Sequence, residues 1–322
     1  MERLPEPLLQ VQNVYKEYPL PGKRVLHAVN GVSLNIGAGE CLAVVGESGC
    51  GKSTLARMIT RVEPVTKGRV CFQGIAIETL RGEALRQLRK QMQMIFQNPS
   101  AAFSPRMKIG SYLREPFINH HLLSRKDAGD KTRQLLRSVG LPEDYVNRYP
   151  HQLSGGELQR VAIIRAMALQ PLLLICDEPT SSLDVSIQQR IIALLDHMRQ
   201  EYSVSILFIS HDLALVNHFS ERIVVMYLGF IVESMPSVRL GREAKHPYTR
   251  ALLQAVFQQG KNRNEKIHVL DGEPPNPIDL SPGCPFRPRC PHPQEQCREI
   301  MPLLREIAPG HQAACHVVEC RA

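Results

Sequence analysis

Residues 8–36 alternate apolar and polar side chains, the period of half-buried strands, with a Pro/Gly turn at 19–22. Gly37-Ala38-Gly39-Glu40 then turns the chain into CLAVVG, a short unbroken apolar run that predicts a strand buried on both faces. Downstream, the apolar runs 172–176, 204–209 and 222–227 alternate with helical patterns such as 184–200. Strands alternating with helices imply an α/β fold whose core is a largely parallel sheet with crossover helices. Between about 99 and 165 only amphipathic helical patterns occur, so a helical subdomain is expected there. Past about residue 257 the pattern fails. The final 64 residues hold 10 of the 24 prolines and one aromatic residue, Phe286. Such a stretch cannot offset its ordering entropy by burial alone. It must be disordered, draped over another surface, or stapled.

Composition narrows the class. With 43% hydrophobic and 22% charged residues, the 322-residue chain has ample material for a core. No apolar run is long enough to span a bilayer, and MERLPEPLLQ lacks the apolar middle of a signal peptide. This argues against a spanning or exported chain, though not against one docked to a membrane. The net charge of +8 lies entirely before residue 259, because the remainder carries eight basic and eight acidic residues. A mild positive excess suits phosphate-bearing partners or anionic headgroups. With aromatics at 5%, it does not argue for nucleic acid.

The chemistry begins at Gly46-Glu47-Ser48-Gly49-Cys50-Gly51-Lys52-Ser53-Thr54, which fits G-x-x-x-x-G-K-[ST] directly after a predicted strand. Its glycines let backbone N–H groups turn inward around phosphate oxygens at a helix N-terminus. Lys52 is expected on the β- and γ-phosphates and Ser53 on Mg²⁺. A second buried run ends in Asp177-Glu178, at the carboxyl end of a strand where parallel sheets bind ligands. Asp177 would hold Mg²⁺ through water, and Glu178 would orient or deprotonate the attacking water.

Further motifs carry a family resemblance. Leu153-Ser154-Gly155-Gly156-Glu157 resembles the signature of ABC-type ATPases; Gln97 after MQMIF resembles their Q-loop. Ser182-Leu183-Asp184 resembles their D-loop, His211 in ISHD their switch histidine, and Tyr18 in NVYKEY the aromatic that stacks on adenine. The resemblance spans about 8–257. It implies a P-loop NTPase of ABC type with a mixed sheet core and an inserted helical subdomain. It also implies ATP and Mg²⁺ as cofactors, with Ser53 and Gln97 on the metal and Lys52, Gln97, Glu178 and His211 in catalysis. Two ATPase subunits would pair head to tail, each lending its signature to the other's ATP. Glu157 departs from the family's usual Gln and brings a carboxylate toward the nucleotide.

The interval between Lys52 and Ser154 holds no heptads and one cysteine, Cys71, unlike the DNA-repair ATPases of this class; a single P-loop is unlike the translation ATPases. A transport engine is favoured over both. FQNPSAAFSPRM, YPHQLSGG, AKHPYTRALL and GEPPNPIDLSPGCPFRPRC resemble the ATPases of the oligopeptide/dipeptide/nickel importers, and this match spans nearly the full length. It implies an ABC domain over 1–258 and a Pro/Cys-rich extension over 259–322. It further implies two transmembrane permease subunits, an extracytoplasmic binding protein, commonly a second, non-identical ATPase, and a place on the cytoplasmic face of a bacterial inner membrane. Peptides rank first as cargo, ahead of nickel and metal–chelator complexes. LSGGELQR resembles the nickel-type branch, and the cysteine tail the peptide-type branch.

That tail reads Cys284-x5-Cys290-x6-Cys297-x17-Cys315. An odd total of nine cysteines and no export signal argue against disulfides. Four thiolates suit a [4Fe–4S] cluster or tetrahedral zinc, and the absence of a C-x2-C knuckle fits common zinc ribbons poorly. Some members of the resembled family carry an iron–sulfur cluster in such tails. Cys320, His292, His311 and His316 are alternative ligands. No tail residue is expected in the phosphate site.

Overall fold

A computed structural model describes residues 6–181, 183–257, 272–278 and 280–318. The expected boundary at 258/259, together with Ser182 and Cys320, lies outside the described residues. Twelve strands are present in that range: β1 Leu9–Leu20, β2 Arg24–Ile36, β3 Cys41–Val45, β4 Lys67–Phe72, β5 Ile75–Ala76, β6 Met92–Ile95, β7 Leu173–Asp177, β8 Ser205–Ser210, β9 Arg222–Tyr227, β10 Phe230–Pro236, β11 Arg305–Ala308 and β12 His311–Ala313. The chain divides into two units, residues 1–79 with 208–322, and residues 80–207.

In the first unit the alternating N-terminal segment forms one antiparallel sheet in the order β2-β1-β4-β5. The CLAVV run forms β3, buried at every position, and it lies parallel to β9 with Leu42 opposite Arg222 and Val45 opposite Val225. Burial on both faces explains why these strands read as continuous apolar runs. From β9 the chain reverses through Leu228 and Gly229, both at positive φ, into antiparallel β10. A two-residue loop with both residues left-handed matches the strand twist.

β10 pairs on its other side with β12, which is joined to β11. These two strands come from the proline-rich tail, for which the sequence left disorder, draping over another surface or stapling open. The tail is therefore part of the first unit's sheet. Two buried features hold it there. Phe286, 1% exposed, packs at 5.3–5.7 Å from the rings of Tyr227, Tyr248 and His246. His311 of β12 meets Glu233 of β10 at 2.7 Å, with both side chains almost fully buried. The Glu233 carboxylate also accepts from the backbone N–H groups of Lys245 and His246, so its charge is satisfied on three sides.

The second unit places β6 parallel to β7, holds the start of β8, and builds its remaining regular structure from helices. No strand occurs between Ile95 and Leu173 among the described residues. The expected helical stretch comprises Ile109–Asn119, Arg125–Ser138 and Gly155–Met167 with short 3-10 turns between them. Arg165 ties two of these helices: its guanidinium lies 4.3 Å from the centre of the Tyr112 ring and donates to Glu115 at 2.8 Å. Strand β8 carries the chain from the second unit back into the first.

Candidate functional site

The glycine-rich loop follows β3 and opens the helix Lys52–Ile59. Its conformation demands glycine at two points. A Cβ on Gly46 (φ 155°) would lie 2.2 Å from the Met226 carbonyl, and one on Gly51 (φ 103°) would lie 2.2 Å from that of Ala28. The loop is thus wedged between β2 and the β9–β10 turn, whose Gly229 N–H donates to the Cys50 carbonyl at 2.8 Å. Lys52, only 4% exposed, curls into the loop and donates to the carbonyls of Gly46 (2.8 Å) and Glu47 (2.9 Å). Burial pushes the Cys50 thiol up, so it stands there as a protonated apolar group.

Tyr18 of β1 donates its hydroxyl to Glu63, and its ring carries the Lys16 ammonium at 4.9 Å. Burial and the Glu63 carboxylate push its phenol up to about 12, with the Thr54 hydroxyl opposing. Tyr18 is therefore a neighbour of Thr54, the last residue of the loop motif. His211 is exposed at the end of β8, and Asp212 beside it caps the helix Leu213–Phe219 through the Leu215 N–H at 3.1 Å.

In the second unit, Asp177 is buried at the end of β7, and Glu178 follows with φ 46°. Gln97 donates to the Glu178 carboxylate at 3.0 Å, so this unit brings together the two residues named from separate motifs. Ser154 caps the helix Gly155–Met167 and forms a reciprocal box with Glu157. The Glu157 carboxylate accepts from the Ser154 N–H (2.7 Å), the Ser154 hydroxyl (2.9 Å) and the Tyr145 hydroxyl (2.8 Å). Partial burial opposes ionisation, but these donors outweigh it and hold the carboxyl below its usual range. Its negative charge is thus committed to the helix start, which explains how a carboxylate is accommodated where the family usually has Gln. Gly156 is required by packing, since a Cβ would meet Ile187 at 2.8 Å. Asp184 caps the helix bearing Ile187 through that residue's own N–H at 3.0 Å.

The tail corrects the expectation that none of its residues reaches the phosphate loop. Arg289 forms a two-pronged bond with the Glu47 carboxylate at 2.8 and 3.0 Å, with its own side chain 5% exposed. The Glu47 N–H donates to the Tyr248 hydroxyl at 2.8 Å. Sequence reading missed both contacts, although an acid inside a phosphate loop signals the need for a counter-ion.

The four tail thiols are electrostatic neighbours. Burial pushes Cys284 up to about 11, with Cys297, Cys315 and Cys290 adding to the shift and a hydrogen bond from Phe286 opposing it. Among the described residues, however, no three or more His, Cys, Asp or Glu side chains are arranged to hold a metal. Of the alternative ligands, His311 meets the Glu233 carboxylate through Nε2, and the His316 Nε2 contacts the Ile300 carbonyl at 3.0 Å.

Residues 29–181 match the family described as ABC transporter, and residues 232–297 match the oligopeptide/dipeptide transporter C-terminal region. The chain is 45% identical to a di/tripeptide transport ATP-binding protein, DppF, of Pseudomonas aeruginosa, over 92% of each chain. It is 42% identical to the oligopeptide transport ATP-binding protein AppF of Bacillus subtilis, over 97% of this chain and 98% of that one. The chain belongs to the ATP-binding subunits of the oligopeptide/dipeptide ABC transporters. Among solved structures, a dimer of the ATP-binding cassette MJ0796 bound to ADP and Pi matches with a TM-score of 0.66 and 29% identity, over 71% of this chain and 98% of that one. The fold is that of an ABC ATPase, and this transport subunit hydrolyses ATP. The DNA-repair and translation alternatives are set aside. Among the described residues, no helix of the subunit is long and apolar enough to cross a membrane.

Proposed function

We propose that this ATPase powers import of peptides, working from the cytoplasmic face of a bacterial inner membrane on two permease subunits fed by an extracytoplasmic binding protein. The observation that carries the reading is the match of residues 232–297 to a region described for oligopeptide and dipeptide transporters. Relatives named for di/tripeptide and oligopeptide transport support it. A second, non-identical ATPase subunit completes the pair.

In this reading the loop residues from Gly46 to Thr54 wrap the phosphates of ATP, and Tyr18 stacks on its adenine. Lys52 stabilises the charge that develops on the transferred phosphoryl group. Ser53, Gln97 and Asp177 serve Mg²⁺, directly or through water. Glu178 orients the attacking water, and His211 contacts the γ-phosphate. Ser154, Gly155, Gly156 and Glu157 serve the nucleotide on the second subunit, beside Asp184. The segment following Gln97 docks on the permeases, and crosslinks from residues 98–106 to their cytoplasmic loops test this.

ATP-dependent uptake of labelled peptides into vesicles holding the assembled transporter tests the cargo. Glu178→Gln should bind ATP, trap the closed pair and stop uptake. Wild-type turnover by that variant would refute the role given to Glu178. Uptake of nickel or a chelate in place of peptides would refute the cargo.

For the tail, a [4Fe–4S] cluster on Cys284, Cys290, Cys297 and Cys315 is proposed from the crowding of the four thiols along the sequence and from the family resemblance. After anaerobic purification, about four irons per chain would support it. Stoichiometric zinc would make this a structural zinc site, and neither metal would remove both versions.

A further inference from the structure

Glu47 is held at three points. Its carbonyl accepts from Lys52, its N–H donates to Tyr248, and its carboxylate is forked by Arg289. The last contact solves an electrostatic difficulty. A loop that binds a highly anionic triphosphate gains nothing from a carboxylate at its first variable position, since like charges at short range repel. Arg289 supplies the opposite charge with two parallel hydrogen bonds, a geometry that fixes direction as well as charge. It is also braced against Tyr227, whose hydroxyl lies 3.5 Å from the guanidinium.

Arg289 owes its position to the tail. Phe286, three residues earlier, is anchored in the aromatic cluster, and the turn 287–289 follows it directly. Its basic neighbour Arg287, in the same turn, is exposed.

We propose that Arg289 is a positioning residue of the nucleotide site: it neutralises Glu47 beside the phosphates, making the C-terminal tail part of the ATP-binding machinery. The inference rests on the phosphate loop being the ATP site, and Lys52→Ala tests that premise separately.

The experiment titrates mant-ATP with Mg²⁺ into the full-length subunit and measures KM and kcat for ATP in the assembled transporter. Arg289→Ala should weaken nucleotide binding roughly tenfold, the scale of one uncompensated charge near the phosphates, and raise KM while leaving kcat within about twofold. Arg289→Lys should fall between, because a point charge replaces a fork. Glu47→Gln in the Arg289→Ala background should restore affinity, since it removes the stranded carboxylate. A merely structural role for Arg289 would show no such rescue. Arg287→Ala should match wild type.

Wild-type affinity in Arg289→Ala would overturn the proposal, as would a weakening that Glu47→Gln fails to relieve. If Arg289→Ala does not fold, Glu47→Gln alone decides: it should bind at least as tightly as wild type, and weaker binding would overturn the proposal. Unchanged binding in Lys52→Ala would instead refute the premise.

Discussion

Replacing Phe286 by alanine should release the tail from the ATPase core without unfolding the core. The ring is 1% exposed and lies 5.3, 5.5 and 5.7 Å from the rings of Tyr227, Tyr248 and His246. Truncating a buried phenylalanine costs about 3–5 kcal/mol in lost transfer free energy and cavity formation. The cluster partners belong to β9 and to the segment around helix Pro247–Phe257, which remain folded, so the loss falls on tail docking. At about 1.4 kcal/mol per factor of ten, the low end of that range makes opening about a hundredfold more frequent. Native-state hydrogen exchange reads this directly. The Cys284 N–H, bonded to the Cys297 carbonyl at 2.9 Å, should exchange about a hundredfold faster, while the amides of β3 and β9 keep their protection. Phe286→Leu should recover most of the difference. Wild-type protection at Cys284 in the alanine variant would refute the aromatic cluster as the anchor. Equal loss at β3 would show that tail and core open as one unit.

Other outcomes follow from single contacts. Burial holds His246 down to about 4, below its ordinary 6.5, so the folded protein binds fewer protons there than the unfolded chain; stability should be full above about 6.5 and fall toward about 4, and His246→Gln should flatten that part of a pH-dependent melting curve. Gly51→Ala forces a Cβ to 2.2 Å from the Ala28 carbonyl at a left-handed φ, so nucleotide binding should be lost in fluorescence titration while the second unit's helices persist by circular dichroism. Glu157→Gln leaves a single side-chain oxygen where the carboxylate serves Ser154 and Tyr145 through two, and should lower the melting midpoint by the equivalent of about 1 kcal/mol with ATPase activity retained.

The central strands were legible because burial on both faces leaves no ambiguity: β3 and β9 are continuous apolar runs, and the loop between β3 and Lys52 has a motif that few other structures need. Gln97 could be named only by resemblance, since it does not stand out within its own segment, whereas Glu178 was marked by the acidic pair that closes a buried apolar run. The tail resisted reading for a physical reason. Its strands are four and three residues long, and one of β12's inward positions is His311, a polar residue made tolerable only by Glu233 far upstream. The chain turns between them at Gly310, whose φ is 69°, and short polar strands carry little periodicity. Arg289 lies in a proline-rich stretch where nothing in the local pattern singles it out. Its role depends on a partner in another segment, which no local pattern encodes.

The pairing of β12 with β10 gives the tail a second use. β10 is buried along Ile231, Val232, Glu233, Ser234 and Met235, and its outer hydrogen-bonding groups face β12. Stripped of the hairpin, it would present an unprotected, largely apolar margin, the kind of surface on which sheets from separate molecules join and aggregate. β11 meets the solvent instead, with Arg305 and Glu306 exposed along a strand of only four residues. The hairpin thus replaces an adhesive boundary with a short charged one, so a chain cut back to its ATPase portion would lose solubility even with every phosphate-binding residue intact.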